Sequence, residues 1–169
     1  MKYIGLTALC LALSLIGVYL SSVHKKRYSL LFAISEFFKE FAVCSSLVSL
    51  DVYGCIEKLS RRKSLAILTF LCSFKEGFTF GCNIRKLWHS CVEKCSELNL
   101  LDKNDIEMLL SFSDIFGKCS FGEFSEKCLE YSAFFLEKAK KEELSWNKNR
   151  AATVGSCLFS AAAVFIMIV

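Results

Sequence analysis

A chain that ends AATVGSCLFSAAAVFIMIV is constrained from its last turn backwards. These nineteen residues, Ala151–Val169, carry no charge. A helix rises about 1.5 Å per residue and a bilayer's hydrocarbon core is about 30 Å thick, so a run of this length just spans it. The polar segment before it, Ser120 to Arg150, has helical composition, with no proline and no glycine after Gly122. The expectation is one long helix running from a folded domain into a membrane, with the rest of the chain folded close to that surface.

A second apolar run, IGLTALCLALSLIGVYLSSV, covers Ile4 to Val23. A cleaved signal peptide competes with a retained helix here, and Ser21 and Ser22 keep a cleavage option open. The apolar core is long, only Lys2 precedes it, and no A-x-A site follows, so a retained helix is the reading taken. Charges set the orientation. Lys25, Lys26 and Arg27, with His24 beside them, follow the first run, and Lys148 and Arg150 precede the second. Both basic ends face the middle of the chain, which the positive-inside rule places in the cytoplasm.

The fold class expected is all-α: a small helical bundle, residues 24–150, between an N-terminal transmembrane helix (4–23) and a C-terminal one (151–169). Removing both runs leaves roughly 125 residues, enough for one domain with its own core. Residues 24–150 hold 20 Lys and Arg against 17 Asp and Glu, too balanced for a nucleic-acid binder. The absence of proline and the sixteen phenylalanines suit packed helices. Ten cysteines would suit a disulfide scaffold in a secreted protein, but no CxxC occurs and most sit at apolar helical positions. They read as reduced thiols serving as small hydrophobes.

Leu30, Ile34, Phe37, Phe41, Cys44 and Val48 recur at three and four, which predicts a helix from Tyr28 to about Leu59 that Gly54 bends or breaks. Arg61, Arg62 and Lys63 form a basic turn, open to solvent, to anionic headgroups or to an acidic partner. A short apolar helix follows from Ser64 to about Lys75, and Gly77 and Gly81 bracket a turn. Asn83 caps a helix to about Leu98, with Leu87, Trp88, Cys91 and Cys95 on one side. Asp102 caps the next helix, Asp105 favours its first turn, and Ile106, Leu109, Leu110, Phe112 and Phe116 form its apolar face. Gly117 takes the left-handed C-terminal position, and Ser120-x-x-Glu123 is a capping box for the last helix. Phe121, Phe124, Cys128, Tyr131 and Phe135 make a bundle seam on that helix. From about Glu137 it is too charged to bury and reads as a stalk, projecting or packed on a partner.

Catalytic signals are missing. There is no nucleophile–base–acid set, dinucleotide fingerprint, Walker motif or HExxH. His89, Cys91 and Cys95, with Cys82, invite a metal site, but His89 lies two residues from Cys91 and points elsewhere on a helix. Packing accounts for them better. No catalytic, cofactor or metal residues are assigned, and no small-molecule substrate. The final apolar run pairs Ala151 with Gly155 and Ser156 with Ser160, a small-residue spacing that allows a membrane helix to pack closely, at Ala8 and Ala12 of the first run or on a partner's span. A passive anchor is the plainer alternative.

The stretch LLDKNDIEMLLSFSDIFGKCSFGEF carries a resemblance. The acid-led helix Asp105 to Leu110, the phenylalanine at Phe112, the turn glycine at Gly117, the charged run with Asn149 and the early Gly155 resemble stage III sporulation protein AB, a membrane-protein family of endospore-forming bacteria. Departures are specific: the family usually has glycine where Ser113 stands and aspartate where Ser120 stands, and its Tyr-x-x-Thr-Pro element is missing although Tyr53 lies near that place. The resemblance implies a non-enzymatic scaffold of a secretion-like channel complex between mother cell and forespore. It also implies kinship with the cytoplasmic domains of type II secretion and type IV pilus platform proteins. Expected partners are the lipid bilayer, other stage III proteins and an AA-type ATPase, with the middle domain in the mother-cell cytoplasm. A generic membrane-anchored helical adaptor and a secreted, disulfide-bonded effector are the rival readings.

Overall fold

The computed structural model describes the backbone of residues 2–48, 52–118 and 120–168, and side chains at 19, 22–45, 52–118, 120, 122–148, 155 and 156. Six α-helices follow one another: α1 Lys2–Val48, α2 Val52–Ser60, α3 Thr69–Gly77, α4 Ile84–Glu93, α5 Lys103–Ser111 and α6 Phe121–Ile168. Short 3₁₀ turns occur at Lys63–Leu65, Ser96–Leu100 and Phe112–Ile115, and there is no strand among the described residues. The chain divides into two compact units, Ser29–Ala139 and the paired ends Met1–Tyr28 with Lys140–Val169.

Ser29–Ala139 is an all-helical bundle sealed by aromatic rings. The α1 stripe is buried as its spacing requires: Leu30, Ile34, Phe37, Phe38 and Phe41 are at most 1% exposed. Trp88 of α4 is the hub. Phe37, Phe70, Phe74, Phe112 and Phe116 surround it with centroids 5.4–6.2 Å away. Its indole Nε1 donates to the Leu109 carbonyl at 2.9 Å, so the one polar atom of the hub is satisfied. Phe38 joins this cluster to α6 through Phe112, Tyr131 and Phe135. Each such ring stabilises the fold by about 2–3 kcal/mol through burial. Where α1 meets α6, small residues let the backbones close: Ser35 Oγ donates to the Ser132 carbonyl at 2.9 Å.

Helix limits differ from the periodicity in two places. The helix expected from Tyr28 to Leu59 is described as α1 up to Val48 and as α2 from Val52, with residues 49–51 outside the described set, and Gly54 sits within α2 without breaking it. The apolar helix expected from Ser64 begins only at Thr69. Before it, Leu65 and Leu68 bond back to Arg62 and Leu65, and this tighter winding turns both leucines, 2% and 1% exposed, into the core. Finally, α4 ends at Glu93, because Cys95 and Leu98 reach the core through a 3₁₀ turn instead.

In the terminal unit, α1 and α6 are helical through the two apolar runs. The expected spans 4–23 and 151–169 lie almost wholly among residues whose side chains are not described; among the described residues no helix is long and apolar enough to cross a membrane.

Candidate interaction surface

The basic flank splits by helical face. His24 and Arg27, three apart on α1, turn the same way. His24 Nδ1 meets Glu142 Oε1 at 2.5 Å, and Arg27 Nε lies 3.5 Å from Glu142 Oε2. Glu142, on α6, keeps only 13% of its side chain exposed. Lys25 and Lys26 point to solvent, as does Lys148; Arg150 is outside the described side chains. The charged run after Glu137 therefore has a covered face in this chain: Ala139 is buried, and Glu142 and Trp146 are half-buried at spacings of three and four.

The capping positions divide as well. Asn83 accepts the Lys86 N–H at 3.0 Å at the start of α4. At Ser120, both the backbone N–H and the Oγ–H donate to Glu123 Oε2 at 2.9 Å. Those two bonds, the backbone one first, hold the Glu123 carboxyl below the usual range. One expectation needs correction. Asp102 occupies the N-cap position of α5, but its side chain makes no cap bond there. Gly117 has φ +70°, the left-handed conformation expected of it. It follows a 3₁₀ turn, and Phe116 at φ −59°, ψ 121° with the Lys118 N–H bonded to the Ile115 carbonyl defines a type II β-turn with Gly117 at its third position.

Asp105 lies in the first turn of α5 as expected, and it is fully buried there, with Lys138 Nζ of α6 at 3.0 Å. Its register with Leu109 and Phe112, four and seven residues on, is the signal that locates it. Arg61 and Arg62 are also committed within the chain: Arg61 bonds Glu57 at 2.7 Å, and Arg62 reaches Glu40 of α1.

The candidate metal residues are dispersed. His89 Nε2 lies 3.1 Å from Ser113 Oγ, whose hydroxyl donates to the Leu110 carbonyl, so the imidazole is the donor. Cys91 and Cys95 are buried core residues, and burial pushes the Cys91 thiol up. Cys82 belongs instead to an apolar cleft of about 650 Å³ walled by Phe41, Tyr53, Phe78, Phe116 and Phe124. No group of three or more His, Cys, Asp or Glu is placed to hold a metal among the described residues. Of the small-residue face, Gly155 and Ser156 are described; no described atom lies within 4 Å of a Cβ built on Gly155. The side chains of Ala8, Ala12, Ala151 and Ser160 lie outside the described set.

A ring-packed bundle entered and left by long terminal helices defines an all-α bundle protein. The family model of stage III sporulation protein AB matches residues 2–169, and the chain belongs to that family. Membership supports a sporulation-related function. No curated protein and no solved structure matches the chain.

Proposed function

We propose that this chain is a non-enzymatic scaffold, anchored in the membrane at both ends, of a secretion-like complex joining mother cell and forespore. The match from residue 2 to 169 carries the reading, because it takes in both apolar runs and the bundle between them. Each run lies on a long helix, α1 or α6. The middle domain faces the mother-cell cytoplasm, and an AA-type ATPase and other stage III proteins are its partners. Five described cysteines, Cys44, Cys55, Cys91, Cys95 and Cys128, fill core positions, which supports their use as small hydrophobes over the secreted, disulfide-bonded alternative.

Cys72 is exposed and makes the test direct. In unbroken sporulating cells a membrane-impermeant maleimide should leave Cys72 unlabelled, and should label it after the cells are opened. The chain should resist alkaline carbonate extraction and capture an AA-type ATPase on crosslinking. Labelling of Cys72 in intact cells would reverse the topology. Release by carbonate would remove the anchors, and loss of spore formation with no captured ATPase would remove the platform role.

A further inference from the structure

Charge is distributed unevenly between the two units. Residues 29–139 hold 13 Lys and Arg against 15 Asp and Glu, net −2. The stretches 24–28 and 140–150, which belong to the terminal unit and adjoin the apolar runs, hold seven Lys and Arg against two Glu, net +5. Almost all of the positive character of the chain therefore sits beside the two runs.

The structure sorts these cations further. Arg27 and His24 turn inward to Glu142, which sits half-buried between the helices. Lys25, Lys26, Lys140, Lys141 and Lys148 are exposed. Lysine suits this position: its long apolar stem lies along a helix while its ammonium reaches the headgroup layer. Orientation needs only that basic residues lie on one side of a membrane. Retaining five exposed lysines while Glu142 neutralises the inward charge concentrates attraction on the outer surface of the helix pair.

We infer that Lys25, Lys26, Lys140, Lys141 and Lys148 form a collar that gathers anionic phospholipid headgroups around the terminal helices. This rests on the membrane anchoring proposed above. The chemistry recognised is a phosphate monoanion held in a bilayer, such as that of phosphatidylglycerol. The net-negative bundle gains nothing from the same surface, so the enrichment is confined to the terminal unit. The chain then selects its lipid surroundings as well as spanning them.

The test uses the full chain in vesicles of mixed phosphatidylcholine and phosphatidylglycerol, with bromine on the acyl chains of one lipid or the other. The chain has two tryptophans; Trp88 is sealed in the bundle, so bromine quenching reports Trp146, two residues before Lys148. Phosphatidylglycerol should be enriched around Trp146 by about fivefold, the factor that one lysine near an anionic surface supplies. The preference should weaken in high salt. It should fall to parity in K25Q/K26Q/K140Q/K141Q/K148Q and persist in K58Q/K63Q/K86Q/K94Q/K103Q, which removes five exposed lysines of the bundle. Equal quenching by both lipids in the wild-type chain would overturn the inference. So would enrichment that survives loss of the collar lysines, or that disappears equally in both variants. Wild-type chain that alkaline carbonate strips from the vesicles fails differently, because then the anchoring itself is absent and the collar falls with it.

Discussion

The chain ties its first helix to its last by two unlike means. In the bundle, α1 meets α6 through rings and serines: Phe38 packs on Tyr131 and Phe135 at 5.2 and 5.7 Å, and Ser35 bonds Ser132. In the terminal unit, the described link is ionic: one carboxylate, Glu142, between His24 and Arg27. Ring packing depends on excluded water and is not screened by salt as an ion pair is. A partly exposed ion pair contributes less than about 1 kcal/mol and weakens with ionic strength. The bundle is thus built to persist, while the terminal link fixes a helix register that its surroundings can alter.

The bundle side of this contrast breaks hardest at Trp88. Trp88→Ala empties the centre of the ring cluster and removes the indole bond to the Leu109 carbonyl, so the full chain in detergent should lose about 3–5 kcal/mol in denaturant titrations followed by far-UV circular dichroism. Trp88→Phe keeps a ring and should cost clearly less. Equal losses for the two variants would mean the site does not depend on packing.

The buried ion pair is next. Lys138→Met removes the cation from fully buried Asp105 and should cost about 3 kcal/mol, the lower end for a buried pair because Lys138 is 29% exposed. Adding Asp105→Leu should recover part of that loss, since the buried carboxylate is then removed together with the cation. A double variant whose loss equals the sum of the single losses would show that the two groups are uncoupled.

Gly117→Val should cost about 1 kcal/mol or more, entirely in the backbone, because φ is +70° and no described atom lies within 4 Å of a Cβ there. Gly117→Asn should cost less. Identical melting temperatures for wild type and the valine variant would reject the turn's dependence on glycine.

On the terminal side, Glu142→Gln should cost about 0.5–1 kcal/mol at low salt and nothing measurable near 1 M salt, whereas the cost of Trp88→Ala should not fall with salt. A Glu142→Gln effect that persists in high salt would erase the contrast between the two links. The smallest expected effect belongs to Glu123. Its carboxyl is held below its ordinary value by bonds from Ser120, so its contribution is present above the ordinary value of 4.5 and lost as pH falls through the lower folded-state value. Glu123→Gln should therefore narrow the stability difference between pH 7 and pH 3 slightly; an unchanged difference would assign the acid sensitivity elsewhere.

Much of the bundle is legible in the order of residues, and the exceptions share a cause. The α1 stripe, the Asn83 cap and the positive φ of Gly117 follow from local periodicity and backbone preference, and each concerns residues near one another in the chain. The long-range bonds of Asp105, Ser113 and Arg62 have no local signal, because carboxylates, hydroxyls and guanidiniums usually face solvent. Their partners, Lys138, His89 and Glu40, stand 33, 24 and 22 residues away. Only tertiary packing brings them together. The flank His24–Arg27 was visible as a charge cluster, but its division into inward and outward residues needed Glu142, which is 118 residues from His24.

Cys128 is fully buried, and burial pushes its thiol up to about 12. Cys72 is exposed. A thiolate is the species that alkylates, so at neutral pH Cys128 reacts only when the bundle opens, while Cys72 reacts in the closed state. The chain thus carries an untouched clock and a reference on the same molecule. The ratio of their modification rates, read by mass spectrometry on native protein, measures how often α6 comes away from the bundle around Cys128 and Cys55, and whether a bound partner slows it.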